Sequence, residues 1–366
     1  MTPLARLTAP AATAILLAVA GCGATTRHQA RKPASRAAIT SRAPIPGTDK
    51  ERPVKAAKPP LLALVTAQTE NRLLVVNLAS GRVLRRATIP GNPEYVATTP
   101  NGPGSIAVVV SSSSGTVTLL NLDSLQPIKV FRGFVSPHIP AIFPDGDYAY
   151  VTDDATGQLS VIGLYNGRIL SRVAVGAGAH HLAFSPDWRQ VWVALGQSAR
   201  TIVILSTIVS TPPPPSSPVG NPGRPHVIGR FDPGFLAHDL MFTPDGKRVW
   251  ITSANTPYVG VFKARTHRLL FRVPGGPPPQ HVVFDGRFAY ITSGYGSIIE
   301  QVMLDTGRVL TEARAPYGSF DLDAADGYVV TASLLRGTLA IYNDRLRLLR
   351  VRRLAPSTED VAISRP

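Results

Sequence analysis

From residue 61 to the C-terminus the chain alternates short apolar runs with turn residues. Leu73 to Leu78, Val117 to Leu122, Leu159 to Leu164 and Leu339 to Tyr342 are examples. Short alternating or wholly apolar runs bounded by Gly, Pro, Asn or Asp mark half-buried or fully buried β-strands. The runs also repeat. Leu182-Ala183-Phe184-Ser185-Pro186-Asp187 precedes Val191-Trp192-Val193-Ala194, and Leu240-Met241-Phe242-Thr243-Pro244-Asp245-Gly246 precedes Val249-Trp250-Ile251-Thr252. Ile142-Phe143-Pro144-Asp145-Gly146 leads in the same way to Ala149-Tyr150-Val151-Thr152, and weaker copies begin at Val96, Val282 and Leu322.

Pro100, Pro144, Pro186 and Pro244 are 44, 42 and 58 residues apart, and Asp245, Asp285 and Asp326 follow at intervals of 40 and 41. Each unit continues through a short loop, a third strand, a tight turn and a fourth strand. Turns such as Asn166-Gly167-Arg168 place glycine where a short hairpin needs positive φ. Four antiparallel strands in about 40 residues make one propeller blade. Blade one, beginning at Leu61, lacks its first strand, which reappears as Asp360 to Ser364. The expected fold is therefore all-β: a seven-bladed β-propeller of four-stranded antiparallel blades, closed by the C-terminal strand completing blade one, over residues 61–366. Closure of this kind leaves no long unpaired edge between first and last blades.

At Tyr150-Val151-Thr152, Trp192-Val193-Ala194, Trp250-Ile251-Thr252 and Tyr290-Ile291-Thr292 the chain resembles the YVTN-type β-propeller repeat family, which includes YncE-like and surface-layer-like proteins. The resemblance covers roughly residues 61 to 366. It implies an extracytoplasmic binding or scaffold protein, with lactone hydrolases and lyases among related seven-bladed propellers. A fold of this kind does not select among those roles.

The ends add a location. Residues 1–22 combine Arg6 with an apolar stretch, Ala9 to Ala20, too short to span a bilayer, and read as an export signal. Val19-Ala20-Gly21-Cys22 resembles a lipobox, which implies lipidation of Cys22. This is the single cysteine of 366 residues, so the chain can form no internal disulfide and no Cys-based metal site. Residues 23–60 hold nine basic residues against Asp49 and Glu51, a net +7 out of +15 for the chain, and read as a disordered basic Pro/Ala/Arg/Lys tether. Such a coil spans roughly 35 Å and can meet membrane, anionic lipid or wall polymer. A proline-rich insertion, 211–225, lengthens blade four between its third and fourth strands; proline excludes it from a central strand and favours polyproline II.

Candidate chemistry follows from register. In the propeller, residues just before each inner strand line the upper mouth of the central channel. These are Tyr95, Ile139, His181, Asp239, His281, Asp321 and Asp360, preceded by Glu94, His138, His180, His238, Gln280, Phe320 and Glu359. Five of eight histidines thus converge with five carboxylates. The expected role is a solvated rim that binds a small ligand or protein partner. The alternative is a divalent metal held by His180, His181, His238 and His281, serving a metal-assisted lactone or cyclic-ester hydrolase or lyase with Asp239, Asp321 or Glu94 as base.

Catalysis is not the favoured reading. The second-to-third strand loops, such as Asp153 to Gln158, are too short for a lid, and no phosphate loop, nucleophile elbow or metalloprotease motif is present. No catalytic residue and no cofactor are assigned. Tyr150, Trp192, Trp250 and Tyr290, one column of second strands, read as packing between blades. A wall or nucleic-acid scaffold is a lesser alternative, since half the net charge lies on the tether and no arginine-aromatic interleaving marks a groove. Taken together, the sequence predicts a monomeric, lipid-anchored, exported propeller at the outer face of the bacterial cytoplasmic membrane or cell envelope, binding without turnover. Tether and insertion should both lie on its lower face.

Overall fold

The computed structural model describes residues 61–208 and 222–364, apart from Asn101 and Pro103. The expected signal peptide, Cys22, the tether and most of the proline-rich insertion lie outside the described residues. Those described belong to one compact unit. Their 28 strands form seven four-stranded antiparallel sheets in a ring. The sheet of blade one runs Val361–Ser364, Leu62–Ala67, Arg72–Asn77, Arg82–Thr88. The C-terminal strand closes the ring in antiparallel register, Leu62 opposite Ser364 and Val65 opposite Val361. Val361 and Ile363 are each 2% exposed and pack with Val65, Ala332 and Leu339.

The core lies between adjacent blades. Tyr150 of blade three packs with Leu182 and Val191 of blade four. Trp192 packs with Phe242 and Val249 of blade five, Trp250 with Val282 and Ala289 of blade six, and Tyr290 with Leu322 and Val329 of blade seven. All four rings are fully buried, so the aromatic column is interblade packing, as its repetition predicts.

The threonine near the end of four second strands, three of them in the aromatic-aliphatic-Thr motif, does something the pattern did not disclose. Oγ1 of Thr66, Thr152, Thr252 and Thr292 donates to the carbonyls of Glu94, His180, Gln280 and Phe320 of the next blade, at 2.6–2.8 Å. The same hydroxyls accept the N–H of Asp360, Ile139, Asp239 and His281 in their own blades. Each such threonine therefore pins one rim residue of its own blade and one of the next, which fixes the site.

Leu62, opposite Ser364 at the far end of the inner strand, starts the second strand of blade one away from the histidine end. Ser206 and His226, which flank the insertion, pair at that same lower end. Both placements match the expected topology. The last residues of the insertion dock on blade three: the Tyr150 hydroxyl donates to Pro222 O, and Ser171 Oγ donates to Gly223 O at 2.7 Å.

Candidate metal centre in the channel

The residues selected by register converge at one end of the central channel. A channel cavity of about 870 Å3 runs down the axis and is lined at its upper end by Tyr95, Ile139, His181, Asp239, His281, Asp321 and Asp360, one residue from each blade. Two features differ from expectation. His138 and Asp239 lie within their inner strands, Pro137–Ile142 and Ala237–Phe242, because a register shift lengthens each strand upward. Part of the rim is also buried rather than solvated, while Glu94, His138, His180, His238 and Asp321 are half-buried. His181, His281, Asp239 and Asp360 are 3%, 6%, 8% and 6% exposed, since seven inner strands crowd their side chains into one axis.

The five histidines from blades three to six form a single ring cluster. His138 stacks on His180 with centroids 4.0 Å apart, and His181 sits edge-on to His281 at 4.6 Å and near His238 at 4.9 Å. One ligand nitrogen from each of His181, His238 and His281 lies within 4.8 Å of the other two, and the same holds for His138, His180 and His181. Asp154 and Asp239 sit among the imidazoles, while Asp321, Glu359, Asp360 and Glu94 occupy the opposite arc, on blades seven, one and two. There Asp360 bonds Asp321, Gln68 Nε2 donates to Glu359 Oε2, and Glu94 turns toward Ser112 and Gln68 rather than the imidazoles.

Burial sets the protonation of both arcs. It lowers His138, His181 and His238 well below the ordinary histidine range, helped by their imidazole neighbours, and lowers His281 to about 4 against the opposing pull of Asp239. Burial likewise raises Asp321 to about 7 and Glu359 to about 8, and burial beside Asp321 raises Asp360 well above the ordinary carboxylate range. At neutral pH these imidazoles are therefore neutral, the form that ligates metal.

Proton accounting then separates the two overlapping trios. His180 Nδ1 lies 2.9 Å from Asp154 Oδ2, and with that carboxylate accepting, His180 Nε2 accepts in turn from His238 Nδ1 at 3.2 Å. His181 Nδ1 lies 3.2 Å from Asp239 Oδ1. His281 Nδ1 faces Asp321 and Asp239 at the longer distances of 3.5 and 3.7 Å. In that assignment His180 has spent its Nε2 lone pair on His238, which leaves His181, His238 and His281 as the better ligand set. Among the described residues, the buried His181 Nε2 and His138 Nε2 have no hydrogen-bond partner. Carboxylate-oriented imidazoles with free Nε2 atoms are the donor set of a histidine metal site. Asp154, the end of the relay to His238, was not among the sequence candidates.

The chain resembles several known proteins in part. A family model described as the cytochrome D1 heme domain matches residues 101–205, the segment that supplies His138, His180 and His181. A curated relative, dihydro-heme d1 dehydrogenase of Pseudomonas aeruginosa, is 33% identical over 111 residues, or 30% of this chain; the match spans about a fifth (21%) of the relative. Among solved structures, a protein of unknown function from Desulfotomaculum acetoxidans superposes with TM-score 0.69 at 16% identity, covering 83% of this chain and 99% of that one. Hydrazine synthase of Kuenenia stuttgartiensis gives 0.64 at 16%, covering 76% and 91%. Dihydro-heme d1 dehydrogenase NirN in complex with DHE gives 0.58 at 14%, covering 87% and 78%. Identities this low show a shared fold.

Proposed function

We propose that this chain is an exported, lipid-anchored propeller of YVTN type that binds a divalent transition metal ion through His181, His238 and His281, acting as a non-catalytic binding protein at the cell envelope. What supports this reading is that one ligand nitrogen from each of His181, His238 and His281 lies within 4.8 Å of the other two, with the buried His181 Nε2 lacking a hydrogen-bond partner among the described residues. An all-imidazole set suits zinc, copper, nickel or iron. A zinc ion held there would sit about 2.0–2.1 Å from each ligating nitrogen.

The partial match to a heme domain raises a tetrapyrrole as the alternative occupant. The residues do not fit one among them: neighbouring imidazoles stand at 4.0–5.4 Å between centroids, which leaves no slot for a flat macrocycle. An ion fits where the macrocycle does not. A second reading, metal-assisted hydrolysis, is favoured by the trio alone, because three imidazoles leave a fourth zinc position open.

The test is calorimetric titration of the purified protein with zinc, nickel and copper salts. One ion per chain is expected, with affinity reduced at least a hundredfold in His181→Ala/His281→Ala and no Soret band on addition of hemin. Absence of a saturable ion, or hemin binding that requires His181, contradicts the reading. Assay of the zinc-loaded protein against simple lactones should show no turnover, and turnover lost with His281→Ala would move the assignment to an enzyme. Lipidation through Cys22 is tested by Cys22→Ser, which should shift the protein from the membrane fraction to the soluble one.

A further inference from the structure

The outer strands of the seven blades are not alike. Five of them, such as Gln126–Phe131 with Lys129 and Leu269–Pro274 with Arg272, carry one or two basic residues each. The remaining two, Arg82–Thr88 of blade one and Leu348–Arg353 of blade seven, carry three arginines each and no acidic residue. Ring closure makes these two blades neighbours. Arg350 Nε reaches across the seam to donate to Ala79 O at 3.0 Å, and a Cβ at Gly81 would lie 2.9 Å from Arg352 Cγ, so the two edges meet.

All six arginines are exposed, and Arg345 and Arg347 extend the set along the preceding turn. None of the eight is in an ion pair among the described residues. Between them stand exposed apolar side chains: Leu84 at 51%, Leu348 at 50%, Leu349 at 46% and Val351 at 43%. A basic residue on an outer strand discourages edge pairing. One per strand serves that purpose in other blades, so the excess here calls for a second cause.

We infer that the closing seam of blades one and seven docks on the surface of an anionic phospholipid bilayer. Arginines supply the charge complement to acidic headgroups, and interspersed leucine and valine side chains enter the boundary between headgroup and acyl chain. Neither strand contains an aromatic residue on which a base could stack. The sixty residues outside the description join the propeller at Leu61, on blade one itself, so any anchor on that segment holds this seam near the membrane.

The test uses the full chain with Cys22→Ser, so that lipid plays no part, in flotation with vesicles of phosphatidylglycerol and phosphatidylcholine in equal amounts, and with phosphatidylcholine alone. Binding should be confined to the anionic vesicles. It should fall at least about tenfold when Arg82, Arg86, Arg352 and Arg353 are changed to Gln with the basic segment 23–60 intact, while zinc binding and melting temperature hold. If that variant folds poorly, hydrogen exchange of the parent chain gives a second readout: strands Arg82–Thr88 and Leu348–Arg353 should gain protection on anionic vesicles. Undiminished flotation of the variant, equal binding to neutral vesicles, no added protection at the seam, or preferential capture by duplex DNA would each overturn the inference.

Discussion

Asp154 and Gly196 decide how His180 stands. Gly196 has φ +53°, and a Cβ there would lie 3.1 Å from both Cβ and Cγ of His180, so a side chain at 196 would press on the ring. Asp154 holds Nδ1 of that ring and, through it, the tautomer of His238. Changing Asp154 to Asn replaces an anionic acceptor with an amide that can present either oxygen or NH2, and the relay loses its direction. Zinc affinity should fall about 10- to 100-fold with melting temperature unchanged; unaltered affinity in the same titration would remove Asp154 from the site. The histidines themselves were legible because one register rule, applied seven times, finds them. Asp154 was not, since it lies beyond the end of a second strand where that rule does not look. A signal existed: the matching positions in blades five, six and seven are Ala254, Gly294 and Leu334, so a carboxylate there is out of pattern. Depth was illegible too, because burial of polar rim groups depends on how closely seven inner strands approach, which spacing along the chain does not encode.

At the scale of the element, the repeated motif carries two separate jobs. Its aromatic residue fills the space between blades, and its threonine staples them. Thr252→Val keeps the shape, removes the donor to Gln280 O and the acceptor for Asp239 N, and leaves both buried backbone groups unpaired. A loss of about 1–3 kcal/mol is expected by denaturant unfolding, whereas the same change at exposed Thr88, in an outer strand, should be nearly silent. Blade four has Ala194 in this position and keeps only the backbone pair, His180 N to Ala194 O and Ala194 N to His181 O, which blade six also makes at Thr292 in addition to its hydroxyl bonds. Blade six carries a strained element of another kind. Glu300 is 7% exposed, faces Glu312 across the strand pair, and has an Oε2 without a partner among the described residues. Burial, then repulsion from Glu312, raises its carboxyl from 4.5 to about 7. The folded state therefore holds a proton that the unfolded chain releases between those values, and stability falls as pH rises through the window. Glu300→Gln should raise stability at pH 8 by on the order of 1–3 kcal/mol and leave it nearly unchanged at pH 4. A uniform shift at both pH values in thermal melts would show that packing, not ionisation, sets the effect.

Across the whole molecule, ring closure is what turns a repeat into a site. Residues separated by more than 260 positions meet at the seam, where Asp360 Oδ2 accepts Val96 N at 2.7 Å and Asp360 bonds Asp321. The circular order of blades sorts chemistry by arc: all five rim imidazoles lie on blades three to six with Asp154 and Asp239 as their partners, and the remaining rim carboxyl groups on seven, one and two. That polarity was implicit in the sequence order of rim residues, and only the closed ring gives it meaning by setting one arc against the other. The most direct measurement of the central claim is X-ray absorption at the zinc edge on the protein loaded with one equivalent of zinc. Three imidazole nitrogens at about 2.0–2.1 Å are predicted, with that shell lost in His181→Ala/His238→Ala/His281→Ala. An oxygen-only shell, or an unchanged spectrum from the triple variant, would contradict it.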